Sequence, residues 1–248
     1  MNMKKRKSSE LKKYSREAMV GRYGVLAGST VIYLLLSVFC SMMPALVFSG
    51  DDLFNIILFY ITTFLFLLLV NLLNVGYARI CLTCMRGGKP SVGDLLHTFF
   101  HHPDRYLLMY LIPTGISFAI SLAADFFSTY GLNHLFTPAK DTYDTVVFSM
   151  LCILAVSALS GLLSLLVLLP FSMAGYVMLD TPDLGPLQAL RESSRLMKRN
   201  KLRYLYLTFS FFGIYLLGSC SCGIGFLWVM PYMETTISAF YLDLKEEL

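Results

Sequence analysis

The sequence predicts an all-α, polytopic membrane protein: six transmembrane helices paired as three hairpins, with short amphipathic interfacial helices and both termini cytoplasmic. Three observations lead there. Of 248 residues, 56% are hydrophobic and 15% are charged, and the mean hydropathy is +0.64; soluble domains average about 45–50% apolar and about 25% charged. Five long stretches carry no charge. The cations collect on one side of the membrane that those stretches define. This composition excludes a disordered chain, a secreted disulfide scaffold and an ordinary cytosolic enzyme.

The opening segment, 1–24, is basic, with eight Lys or Arg. It resembles the n-region of a signal peptide. The apolar stretch behind it exceeds the roughly 7–15 residues of an h-region, so the expectation is an uncleaved first span. That span, about 25–48, lies within the 28 uncharged residues between Arg22 and Asp51. Span two, 53–78, fills the 26 residues between Asp52 and Arg79, and span three, 106–124, the 19 between Arg105 and Asp125. Each suits the roughly 20 residues a helix needs to cross hydrocarbon. The 35 residues between Asp144 and Asp180 hold span four, 146–169, followed by a bend at Pro170. From Tyr204 to Leu242 there are 39 residues. As helix they would extend about 58 Å, too far for one span. Two spans are expected, 204–218 and 224–242, turning at Gly218 to Gly223. The cytoplasmic pieces then hold 19 of the 20 Lys and Arg, with Lys140 in the 125–145 loop outside, as the positive-inside rule requires. The organisation is a basic segment, 1–24, and a single transmembrane domain, 25–248. No lipidation motif or retrieval address is expected, since Gly does not follow Met1 and the closing Lys-Glu-Glu-Leu departs from Lys-Asp-Glu-Leu.

A weak repeat runs through the chain. Arg22-Tyr23, Arg105-Tyr106 and Arg203-Tyr204 each open an odd-numbered span, where Arg and Tyr serve as headgroup anchors. A short amphipathic segment precedes each pair. Its apolar stripe is Leu11, Tyr14, Ala18 and Met19 in the first, Val92, Leu95, Leu96, Phe99 and Phe100 in the second, and Leu187, Leu190, Ser194 and Met197 in the third. Lying in the interface, such helices would bury apolar faces in the phospholipid bilayer and offer cations to anionic headgroups. A plainer role is to set topology alone. Nucleic acid is not an expected partner, because the net charge of +4 is modest and its cause is topological.

The run from Ala189 to Lys201 and the segment Gly223-Ile224-Gly225-Phe226-Leu227-Trp228-Val229-Met230-Pro231-Tyr232 carry a resemblance. So does Thr235-Thr236-Ile237-Ser238-Ala239-Phe240-Tyr241. Together they resemble the bacterial integral-membrane family catalogued as domain of unknown function 975, found mostly in Gram-positive organisms. Ser15-Arg16-Glu17-Ala18-Met19 and Arg86-Gly87-Gly88-Lys89-Pro90-Ser91 fit as well, so the resemblance covers most of the chain. It implies a multi-pass plasma-membrane protein and no assigned activity.

Among residues that carry chemistry, Glu234 stands well inside the last expected span. A carboxylate there costs about 2.5–3.5 kcal/mol unless neutral or paired. Ser238 and Tyr241 share its helical face at i+4 and i+7. Asn71 and Asn74 in span two, and Ser117, Ser121 and Asp125 in span three, are further polar groups able to meet it. One reading is a proton- or cation-coupled pathway; the other, which is favoured, is a neutral acid hydrogen-bonded between helices as packing glue. Cys81 and Cys84 lie on the opposite face of the membrane from Cys220 and Cys222, so the four cannot share a zinc. Asp94, His97 and His101 have ligand chemistry, but the same segment docks on the membrane, and no metal or cofactor is expected. Zincin, nucleophile-elbow, Walker and dinucleotide motifs are absent. Gly24 with Gly28, and Ser157, Gly161 and Ser164, give small-residue faces for tight helix contacts within the chain or between copies. The expected function is therefore non-enzymatic: lipid or membrane-protein contacts, or self-association, in envelope maintenance or as an accessory subunit. The alternative is a small transporter or channel using Glu234.

Overall fold

A computed structural model of the chain describes residues 6–48, 50, 52–131, 143–221 and 223–246. Every regular element among them is helical. In order these are α1 (Ser8–Met19), α2 (Tyr23–Val47), α3 (Leu53–Met85), a 3-10 turn (Val92–Leu96) leading into α4 (His97–Phe100), and α5 (Pro103–Phe126) with a π turn (Phe127–Gly131). Then come α6 (Tyr143–Leu168) with a 3-10 turn (Leu169–Phe171), α7 (Ala174–Asp180), α8 (Pro186–Met197), α9 (Lys201–Phe209), α10 (Phe212–Cys220) and α11 (Phe226–Leu244). Four helical stretches are long and apolar enough to cross a membrane: Tyr23–Val47, Leu53–Met85, Pro103–Tyr130 and Val147–Asp180. Lys140 and Cys222 lie outside the described residues.

The chain forms two compact units, Met1–Tyr110 with Pro170–Leu248, and Leu111–Leu169. The second holds the later turns of α5 and all of α6. Along α6, Phe148, Met150, Leu151, Ile153, Leu154, Leu163 and Val167 are exposed. These positions go right round the helix, so it has no face suited to water.

The first unit is built around α11, which packs on α1, α2 and α3. Every residue from Thr235 to Leu242 is buried, although three of them are Thr or Ser. Their hydroxyls are satisfied locally or by α1. Thr235 and Thr236 donate to carbonyls one turn back at 2.6 and 2.7 Å, and Ser15 Oγ meets Thr236 Oγ1 at 2.8 Å.

That contact decides which side of α1 meets the protein. Leu11, Ser15 and Met19 face inward and Tyr14 is exposed, its ring under the Arg6 guanidinium at 4.4 Å. Ser15 goes inward because α11 supplies a hydroxyl partner there. The second amphipathic segment is a 3-10 turn and one α-turn instead of a continuous helix. Only Leu95 of its apolar stripe is buried; Thr98 turns inward in place of Phe100 because its hydroxyl donates to the Leu72 carbonyl at 2.8 Å. In α8 the buried stripe is Ala189, Leu190, Ser193 and Met197, with Leu187 exposed. Ser193 Oγ bridges the chain leaving Pro170, donating to its carbonyl and accepting from the Met173 N–H.

The helix expected over 204–218 is broken at Ser210 and Phe211. The Ser210 carbonyl accepts the Lys12 ammonium at 3.1 Å, and Phe211 turns into the core under the same ammonium, 4.1 Å from its ring. Burial, then Arg16, hold the Lys12 ammonium below the usual lysine range. α3, by contrast, ends through a Schellman motif: Gly87 N–H bonds Cys84 O and Gly88 N–H bonds Thr83 O. The left-handed residue this needs is Gly87, at φ +77°.

The closest approach in the first unit is at Gly76. A Cβ added there would lie 1.9 Å from the Leu95 carbonyl oxygen, a backbone atom that cannot swing aside. Gly76→Ala is expected to push the 92–100 segment off α3 and destabilise the protein by about 1–3 kcal/mol. Thermal unfolding in detergent checks it, with Gly24→Ala, which meets nothing within 4 Å, as the neutral control.

Candidate functional site

One face of α11 carries the polar groups. Glu234, Ser238, Tyr241 and Lys245 recur at i, i+4, i+7 and i+11, so they stack along one side of the helix. Opposite them stand Tyr176 and Asp180, at i and i+4 on α7. Pro170 ends the preceding helix and lets α7 restart where it can meet α11.

The inner contacts centre on Tyr176. Its hydroxyl donates to Glu234 Oε1 at 2.6 Å, and Ser238 Oγ lies 3.2 Å from the phenol oxygen. The outer contacts centre on Asp180, whose side chain is only 6% exposed. Arg86 grips it with two bonds of 2.7 and 3.0 Å, Tyr241 donates at 2.8 Å and Lys245 at 3.0 Å. The rings of Tyr176 and Tyr241 stack at 5.2 Å and join the two groups.

The three Arg-Tyr pairs share a second role. Arg22 donates to the carbonyls of Cys84 and Gly87 at 3.1 and 2.8 Å, capping α3. The Cys84 thiol answers with a bond to the Ala18 carbonyl. Arg105 donates to Leu184 O at 2.8 Å, and Arg203 to Arg6 O and to the Asp243 carboxylate. Tyr106 is buried, and Tyr204 tilts against Phe240 at 5.6 Å. Tyr23 has a specific task. Pro231 lacks an N–H, so the Leu227 carbonyl four residues back loses its helical donor. The Tyr23 hydroxyl reaches that carbonyl at 3.4 Å, with its ring stacked on Trp228.

The other sequence candidates lie elsewhere. Asn71 donates to Leu67 O on its own helix, and Asn74 is exposed. Ser117 and Ser121 bond carbonyls of their own helix, and Asp125 is exposed. Cys81 and Cys84 are buried free thiols. Between Asp94 and His97 stands the Arg79 guanidinium. Its Nε is 3.4 Å from the Asp94 carboxylate and its Nη1 2.8 Å from His97 Nε2, so an arginine fills the place a metal would take. Among the described residues no three metal-ligating side chains converge.

The sequence did not single out Lys245, nor Tyr176 and Asp180. The one local signal of Tyr176 and Asp180 is the i, i+4 spacing of a phenol and a carboxylate just past a proline bend.

The profile of one family, described as a protein of unknown function (DUF975), matches residues 1–247. The chain belongs to the DUF975 family. No curated protein and no solved structure matches it. The segments of this DUF975 chain that resemble the family fall on working parts of the structure: the Arg86-Gly87-Gly88 cap of α3, the α8 helix, and the buried half of α11.

The pairing of Tyr23 with Pro231 gives a double-mutant test. Tyr23→Phe is expected to cost about 1 kcal/mol by leaving the Leu227 carbonyl without a donor. In a Pro231→Ala background, the restored helical N–H should reduce that cost to near zero. Melting temperatures of the four proteins in detergent give the coupling.

Proposed function

We propose that this DUF975 protein is a six-span protein of the bacterial plasma membrane with both termini cytoplasmic, and that it acts without catalysis through contacts with lipid or another membrane protein. Envelope maintenance or service as an accessory subunit is the role such contacts suit. The observation that carries this reading is α6, apolar and exposed around its whole circumference; such a surface calls for lipid or a partner helix. Small-residue positions add to it. A Cβ at Gly24, Gly28 or Gly161 would meet nothing within 4 Å, leaving these close-packing faces open.

The last hairpin is assigned to α9 with α10 going out and α11 returning. α11 falls below the hydropathy of the four long stretches, yet its polar side chains bond to protein, which removes the main cost of placing them in hydrocarbon. The concentration of 19 cations in the cytoplasmic pieces supports the orientation. Glu234 is read as packing glue, because its carboxylate oxygen already holds the Tyr176 hydroxyl. The linked Tyr176 and Ser238 hydroxyls beside it favour a second reading, a small transporter or channel with Glu234 on its path.

Two measurements test the proposal. A cysteine introduced at Lys140 should react with an impermeant reagent from outside intact cells, and one at Gly88 only after lysis; reaction of the Gly88 cysteine from outside overturns the topology. Proteoliposomes loaded with a pH-sensitive dye should leak protons no faster than empty liposomes. A flux that Glu234→Gln abolishes would establish the transport reading instead.

A further inference from the structure

A pocket of about 270 Å³ opens where the end of α3 meets α4 and the start of α5. Its polar lining is Arg79, His97, His101, His102, Arg105 and Tyr106, with no carboxylate among the lining residues. Two guanidinium groups on one concavity whose lining has no carboxylate favour an anion there.

The two arginines differ in what they have left to offer. Arg79 is held between Asp94 and His97. Arg105 is held only by the Leu184 carbonyl, which orients the guanidinium without neutralising it, and it pairs with no carboxylate among the described residues. The imidazoles are equally deliberate. Because Arg79 donates to His97 Nε2, that ring is a neutral acceptor. Burial, then Arg79 and His101, hold it below the usual imidazole range against the opposing pull of Asp94. His101 stacks flat on it at 4.0 Å, 3° from parallel. His102 takes a left-handed conformation at φ 53°, which turns the chain between α4 and α5.

What surrounds the pocket points to the source of the anion. Met178 and Leu179 make part of the wall apolar. Phe100, beside it in sequence, is 78% exposed, and Leu96 and Leu108 are exposed too. Apolar side chains projecting next to a cationic pocket suit the level where headgroups give way to acyl chains. We propose that this pocket binds the phosphate of an anionic phospholipid headgroup, with Arg105 as its main contact and the His101 ring as part of its wall. The assignment rests on the membrane placement proposed above. The pocket is then the specific point at which the protein reads lipid composition.

The full-length protein in nonionic detergent is titrated with dioctanoyl phosphatidylglycerol, dioctanoyl phosphatidylcholine and inorganic phosphate, and binding is followed through the shift in melting temperature. Phosphatidylglycerol should bind about tenfold more tightly than either of the others. Arg105→Gln and His101→Glu should each weaken it by about five- to tenfold, the first by loss of a charge-assisted contact and the second by setting a carboxylate against the phosphate. Lys198→Gln, which removes an exposed cation remote in sequence from the pocket, should change it less than about twofold. His101 is exposed, so its variant keeps the fold if Arg105→Gln does not. Equal weakening by Lys198→Gln would show diffuse charge attraction and overturn the proposal. So would unchanged binding by both pocket variants, or inorganic phosphate binding as tightly as the lipid. The Gly88 labelling separates the two ideas: failed binding with correct labelling refutes the pocket alone, while external labelling refutes the placement beneath it.

Discussion

A carboxylate removed from water must be given its hydrogen bonds by the protein, and much of the first unit is arranged to do this for Asp180. Arg86 comes from just past the end of α3, while Tyr241 and Lys245 come from the end of α11; all three converge on two oxygen atoms. Bonds to a charged group are worth about 1.5–3 kcal/mol each, and desolvation consumes much of that gain. What the cluster secures is register. The placement of α7 against α11 that brings Tyr241 and Lys245 to this carboxylate also puts Tyr176 beside Glu234.

The same logic explains the cations at the helix starts. Arg22, Arg105 and Arg203 each donate to a carbonyl of a segment far along the chain. Helix and turn ends expose carbonyls that have lost their own donors, and a guanidinium with five N–H groups can cap them and still face outward. A residue type that anchors a helix at a headgroup surface thus also ties segments together. Lys12 does likewise at Ser210, where it terminates one helix and lets Phe211 enter the core.

The two units divide the physical problem between them. The first matches polar side chains internally, so that Thr235, Thr236 and Ser238 are buried in α11. The second presents apolar side chains on every side of α6. A helix of the first kind owes its position to specific partners; a helix of the second kind is defined by its solvent.

Helix class, the long apolar stretches and the shared face of Glu234, Ser238 and Tyr241 were legible in the sequence. Length, hydropathy and helical spacing are properties of consecutive residues, and a helix of 3.6 residues per turn converts them directly into faces. The partners of that face were not. Tyr176 and Asp180 lie 58 and 61 positions before the residues they bond, and a contact at that range leaves no periodic trace. Ser15 in place of Tyr14 on the inner side of α1, Thr98 in place of Phe100 against α3, and the break at Ser210 have one cause. In each, a donor or acceptor on a remote segment decides which side chain meets the protein, because an unmet hydrogen bond inside it is costly.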